Sequence, residues 1–190
     1  MNKMNNYIPY GRHNITQDDI DSVIQVLKKG SLTQGSRVPH FEQQISSYVG
    51  CRYSVATNSA TSALHIACLA LGVRTDDLVW TTSITFLATP NSARLCGAKI
   101  DFVDIDLKTG LMSLKALKEK LIRATKEGLI PKVLILVHLA GTSCDMFEFN
   151  KLAKEYGFFI IEDASHALGG HYRNNPVGSC KYSSITVFSF

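Results

Sequence analysis

Residues 133–166 read VLILVHLAGTSCDMFEFNKLAKEYGFFIIEDASH, and the architecture of the chain can be built outward from them. The run Val133–Val137 is apolar without interruption, and so is the run at 158–161. A strand with one wet face alternates apolar and polar residues; an unbroken apolar strand is covered on both faces, as in parallel sheets. The segment Met146–Tyr156 between the two runs has a helical pattern, so the stretch reads as strand, helix, strand. The same alternation recurs on either side. Strands are expected at 53–56, 78–81, 100–103 and across 184–190, and helices at about 16–29, after Pro39, from 57–64 to about 71, at 89–96 and at 113–127. In the first helix Ile20, Val23, Ile24 and Leu27 form one apolar stripe, Thr16 can cap the start and Gly30 can end it. Phe41, Ile45 and Tyr48 share a face of the second. The expected class is therefore α/β, a mostly parallel sheet with helices on both faces.

Composition narrows the function. At 190 residues, 45% hydrophobic and 19% charged, the chain reads as a globular, cytosolic protein with a real core. The formal charge of +4 is mild and its only adjacent basic pair is Lys28-Lys29, which argues against a nucleic-acid surface. No apolar run has the roughly 18 residues of a membrane span, and the opening MNKMNNYIPYGR lacks the apolar core of a secretory leader. Cys51, Cys68, Cys96, Cys144 and Cys180 are far apart, without metal-ligand spacing, and read as reduced, packed thiols. No metal site is expected.

In open parallel sheets, ligands bind beyond the carboxyl ends of the strands. Four segments follow expected strands: 58–62, 82–86, 138–141 and 163–166. Residues 58–63, NSATSA, combine small side chains and hydroxyls at a helix start, where free N–H groups and the helix dipole favour an anion. Taken singly, a plain helix cap fits them better. Asp163 ends a buried strand and divides evenly between facing a ligand and capping the next turn. Phe86 offers a stacking face but by itself reads as core, and His166 as a structural histidine. GxGxxG, Walker and GxSxG patterns are absent. The stretch 184–190 ends the sequence as a bare strand, so a truncated chain is expected.

Together, LTQGSRVPHFE, TNSATSAL, TTSITFLATPNSA, DFVDID, VHLAGTSCDM, EDASHALGG and VFSF occur in the order seen in DegT-type sugar aminotransferases, and the chain resembles that family from about Pro9 to Phe190. The resemblance implies the fold type I architecture of pyridoxal-phosphate (PLP) enzymes. The chain would carry an N-terminal segment and most of the cofactor-binding large domain, with the C-terminal small domain absent. LTQG, NSATSAL and SHALG followed by VFSF are similar to the pseudaminic-acid branch. That implies transfer of an amino group from L-glutamate to C4 of a UDP-linked 4-keto-6-deoxy-N-acetyl sugar by a cytoplasmic homodimer. Site roles implied by the resemblance are phosphate binding by Ala60, Thr61 and Ser62 with a further bond from Ser189, ring stacking by Phe86, pairing of Asp163 with the ring nitrogen, and His166 beside the ring hydroxyl. Thr33, Gln34 and Gly35 would line the nucleotide-sugar side. The family's cofactor-bonding lysine would fall a few residues past Phe190, and Lys181, before the last strand, is a poor substitute. Without that lysine the chain is expected to be inactive alone. A sugar dehydratase of the same fold, with histidine in place of the lysine, and a non-catalytic remnant or binding module are the alternatives.

Overall fold

Thr16 opens the first helix, α1 (Gln17–Lys29), through a reciprocal cap: its Oγ1 accepts the Asp19 N–H at 3.4 Å, and the Asp19 carboxylate accepts the Thr16 N–H at 2.7 Å. The computed structural model describes residues 11–190, so the reading of the first ten residues as free of a leader lies outside it. Gly30 ends α1 as the sequence predicts. The apolar stripe also forms, but Ile20, Val23, Ile24 and Leu27 are 38–66% exposed and α1 buries none of its residues. Helix α2 (Arg37–Val49) starts before Pro39 rather than after it. A proline in the first turn costs little, because its missing N–H has no partner there anyway. The chain divides within α2 into two units, one ending at Phe41 and one running from Glu42 to Phe190.

The larger unit carries the sheet. The expected strand at 53–56 does not form: these residues join no ladder. Their polar groups bond to α2 instead, the Ser54 hydroxyl donating to the Glu42 carbonyl and the Ala56 N–H to Glu42 Oε1 at 2.8 Å. Then follow α3 (Ala60–Ala70), β1 (Leu78–Thr82), α4 (Ala88–Leu95), β2 (Lys99–Val103), α5 (Leu114–Glu127), β3 (Val133–Val137), α6 (Met146–Tyr156), β4 (Phe159–Asp163), a short hairpin of β5 (His171–Tyr172) and β6 (Asn175–Pro176), and β7 (Ile185–Val187). The last strand is shorter than the run 184–190, so Ser189 lies beyond the ladder.

The main sheet has five strands in the order β2-β1-β3-β4-β7, every pair parallel. Successive side chains alternate between its faces. Trp80, Leu134, Leu136 and Ile160 pack with Leu117 and Leu121 of α5 and Met146 and Phe149 of α6. Val79, Val133, Ile135, Ile161 and Val187 pack with Leu64 and Cys68 of α3 and Ala88 and Ala93 of α4. Each fully buried Leu or Ile in these layers stabilises the fold by about 1.5–3 kcal/mol. The chain leaves β1 toward β2 on one side and reaches β3, β4 and β7 on the other, so the strand order reverses between β1 and β3. That reversal opens a crevice beyond the carboxyl ends of the strands.

Candidate active site

Asp163 is the last residue of β4, in register with Val137 and Val187. It shares the parity of Ile161, so it faces α3 and α4, and it is only 5% exposed. Oδ2 accepts the Thr89 hydroxyl at 2.7 Å; Oδ1 accepts the Ser165 hydroxyl at 2.6 Å and the Ser165 N–H at 3.3 Å. A carboxylate offers about four lone-pair positions, so these three bonds leave one for a further donor. No ion pair to Asp163 forms among the described residues.

Helix α3 starts on the same face. Ser59 caps it, its Oγ accepting the Ser62 N–H at 3.2 Å and donating to Ser62 Oγ at 3.1 Å. The carbonyl of Gly72, just past the helix, is held by Lys132 next to the start of β3. Eleven residues of helix span about 16 Å, which carries the first turn back toward the carboxyl edge of the sheet. There the N–H groups of Ala60 and Thr61, in the first turn, have no intrahelical acceptor.

Between β1 and α4, Phe86 is 77% exposed, which overturns the core reading and leaves its ring available as a flat face. Thr85, beside it, shares a hydrogen bond of 2.7 Å with Thr89. His166 is exposed on the turn after β4, and its Nδ1 accepts the Ala140 N–H at 3.3 Å, which places the proton of the neutral ring on Nε2. Ser189 is exposed two residues past β7, and Lys181 sits on an exposed loop where its Nζ bonds Asn175 Oδ1 at 3.2 Å. Thr33, Gln34 and Gly35 belong to the smaller unit, in the turn between α1 and α2. A Cβ at Gly35 would lie 2.5 Å from the Ser31 carbonyl oxygen, so this turn needs glycine there. The structure thus brings Asp163 together with Thr85, Thr89 and Ser165; the segments 82–86 and 163–166 contain two of them, but the sequence reading assigned none of the three a site role. A hydroxyl pair at i, i+4 entering a helix and a serine two residues after an aspartate were the available signals.

Sequence reasoning also missed a buried network behind the site. Glu162 points to the opposite face from Asp163 and is nearly fully buried. Its Oε2 meets His138 Nε2 at 2.7 Å, and its Oε1 accepts the hydroxyls of Ser183 and, at 3.1 Å, Thr186. His138 Nδ1 accepts the Cys144 N–H at 3.1 Å, so the proton on Nε2 points to Glu162. The five cysteines are free thiols. Among the described residues, no helix is long and apolar enough to cross a membrane, and no cluster of metal-ligating side chains occurs.

A doubly wound parallel sheet whose strand-end acid shares a face with a hydroxyl-rich helix start defines a ligand-binding α/β protein. More narrowly, the chain belongs to the DegT/DnrJ/EryC1/StrS aminotransferase family, whose model matches residues 13–190. It is 41% identical over 184 residues to a UDP-4-amino-4,6-dideoxy-N-acetyl-beta-L-altrosamine transaminase of Campylobacter jejuni, with 96% of this chain and 47% of that protein aligned. Among solved structures it is similar to Helicobacter pylori PseC, an aminotransferase involved in the biosynthesis of pseudoaminic acid, at 31% identity and a TM-score of 0.82, covering 96% of this chain and 47% of that one. It is also similar to Spr1654 of Streptococcus pneumoniae in its PLP form, at 30% identity and a TM-score of 0.83, covering 96% and 48%. The chain therefore spans about half the length of the relatives it matches.

Pyridoxal phosphate is the cofactor of this family. Its chemical groups suit the residues present. A ring N–H can meet the open lone-pair position of Asp163, an anion can meet the free N–H groups that begin α3, and an aromatic face can meet exposed Phe86.

Proposed function

We propose that the chain is the cofactor-holding part of an aminotransferase that passes an amino group from L-glutamate to C4 of a UDP-linked 4-keto-6-deoxy-N-acetylhexosamine. The product would be UDP-4-amino-4,6-dideoxy-N-acetyl-β-L-altrosamine, a precursor of pseudaminic acid. The observation that carries this reading is Asp163, buried at a strand end and held by three neutral donors with one position left open. The 41% identity to the Campylobacter transaminase supports the choice of sugar. When bound, PLP supplies a protonated pyridine ring that accepts the electron pair released as a substrate C–H bond breaks.

The chain's residues do the rest. Asp163 holds the proton on the ring nitrogen. The N–H groups of Ala60 and Thr61 and the hydroxyl of Ser62 bind the phosphate at the helix dipole's positive end, with Ser189 adding a donor. Phe86 covers one ring face and keeps water from it. His166, its ring oriented by the Ala140 N–H, would offer its Nε2–H to the ring hydroxyl. Thr33, Gln34 and Gly35 contact the nucleotide sugar. The whole protein acts as a homodimer in the cytoplasm.

The reading is tested by calorimetric titration of the chain with pyridoxamine 5′-phosphate, with inorganic phosphate as competitor. Asp163→Asn and Phe86→Ala are each expected to weaken binding by about tenfold, roughly one lost contact of 1.4 kcal/mol. Binding unaffected by both changes would refute the site. The substrate assignment is tested on the whole protein, by amine formation on the UDP-keto sugar with glutamate as donor.

A further inference from the structure

Thr89 is fully buried one residue inside α4, and its hydroxyl donates out of the helix, across to β4, to Asp163 Oδ2 at 2.7 Å. A threonine deeper in a helix can turn its hydroxyl back onto the carbonyl of the preceding turn, but Thr89 is the second residue of α4 and has no helical turn before it. Burying a hydroxyl is costly unless it is bonded, and a valine of the same shape would fill this space without that cost. A hydroxyl has a single proton. With that proton committed to the carboxylate, the 2.7 Å contact with Thr85 runs from the Thr85 O–H to the Thr89 oxygen. The relay is therefore directional, Thr85 to Thr89 to Asp163, and each bond polarises the next. Ser165 closes the other carboxylate oxygen with two bonds. Thr85 is also chain neighbour to Phe86, so one short segment presents the exposed ring and anchors the buried acid.

We propose that Thr89, backed by Thr85, is a positioning residue that fixes the Asp163 carboxylate so that its one open lone pair meets the N–H of a bound pyridine ring. This rests on the reading of Asp163 as the partner of the ring nitrogen. Thr89 itself touches the acid and not the ligand. It acts by removing the alternative rotations of the carboxylate, and its loss would lower the worth of the ring nitrogen to binding while leaving the phosphate and stacking contacts in place.

The test compares two probes on the intact chain: pyridoxamine 5′-phosphate and its 1-deaza analogue, in which C–H replaces the ring nitrogen. The wild-type chain is expected to prefer the nitrogen-bearing probe by about tenfold, the worth of one well-aligned hydrogen bond to a charged group. In Thr89→Val most of that preference disappears, while affinity for the deaza analogue stays within about twofold; Thr89→Ser, which keeps the hydroxyl, restores the preference. A merely structural role would weaken both probes together. Retention of the full preference in Thr89→Val overturns the proposal and leaves the assignment of Asp163 intact. Absence of any preference in the wild-type chain overturns that assignment, and the proposal with it. Should Thr89→Val fail to melt cooperatively, Thr85→Val carries the test at a half-buried site: a reduced preference supports the relay, and an unchanged one overturns it.

Discussion

Glu162 stands one residue from Asp163 and enters the opposite face of the sheet, where it meets His138, Ser183 and Thr186. A carboxylate loses most of its hydration on burial, and only a full set of donors offsets the cost. Removing Glu162 leaves the His138 Nε2–H and two hydroxyls without their shared acceptor, so Glu162→Ala is expected to lower stability by about 1–3 kcal/mol. In a double-mutant cycle with His138→Ala, chemical denaturation should show a coupling of at least about 1 kcal/mol; independent effects would mean that the two side chains do not share a bond in solution. A second prediction concerns the thiols. Burial pushes the Cys144 thiol up to about 12, helped by the neighbouring Glu162 charge, and burial pushes the Cys68 thiol up to about 11. Thiolate is the reactive form, so at pH 8 an aromatic disulfide reagent should leave both unmodified in the folded chain and label them only on unfolding. At this scale the sequence was only partly legible. Asp163 stood out because an acid at the end of a buried strand is conspicuous, whereas His166 by itself read as a structural histidine and gained a role only through the family resemblance. Thr89 did not stand out, because a threonine in a helix says nothing of a partner 74 residues away, and Thr85 matters only through Thr89.

Elements were more legible than their partners. Val133–Val137 and Met146–Tyr156 fall where the periodicity puts them, since buried strands and amphipathic helices are written in local pattern. Residues 53–56 also have a strand's alternation, with Tyr53 and Val55 exposed and Ser54 and Ala56 half-buried, yet a strand exists only through a neighbour and, among the described residues, none pairs with them. The β5–β6 hairpin escaped notice because its turn is made by Arg173 and Asn174, both at positive φ, and arginine gives no turn signal. One contact ties three elements together: Lys132, at the start of β3, bonds the Gly72 carbonyl past α3 and, at 2.8 Å, Asp77 before β1. The Lys132 hydrogen bond, outweighing a smaller cost of desolvation, holds the Asp77 carboxyl below its ordinary value. A depressed folded-state value means that the contribution is complete above the unfolded value of about 4 and is lost as pH falls through the folded one. Lys132→Met should therefore reduce stability near neutral pH and make its decline below about pH 4 shallower. Parallel stability–pH curves for the two proteins would exclude the contact as a source of acid sensitivity.

Over the whole molecule, stability is unevenly distributed. Val133, Leu134, Ile135 and Leu136 are completely buried, and opening β3 exposes both core layers together. Helix α1 buries none of its 13 residues. Isolated helices of that length are marginal in water, and the Thr16 cap adds only about 1 kcal/mol. Local opening should therefore begin in the unit that ends at Phe41, well below the free energy that unfolds the sheet. Brief trypsin treatment is expected to cut first after Lys28, Lys29 or Arg37, and to leave a resistant product that contains the sheet. Hydrogen exchange should rank the same way, with α1 amides exchanging by local opening and those of β3 only on global unfolding. The two readouts have independent causes, chain accessibility to a protease and hydrogen-bond opening, so their agreement would locate the weakness in the helix itself. If α1 amides proved as protected as those of β3, the apolar stripe of Ile20, Val23, Ile24 and Leu27 would have to be covered in solution, and the chain would open as one cooperative body.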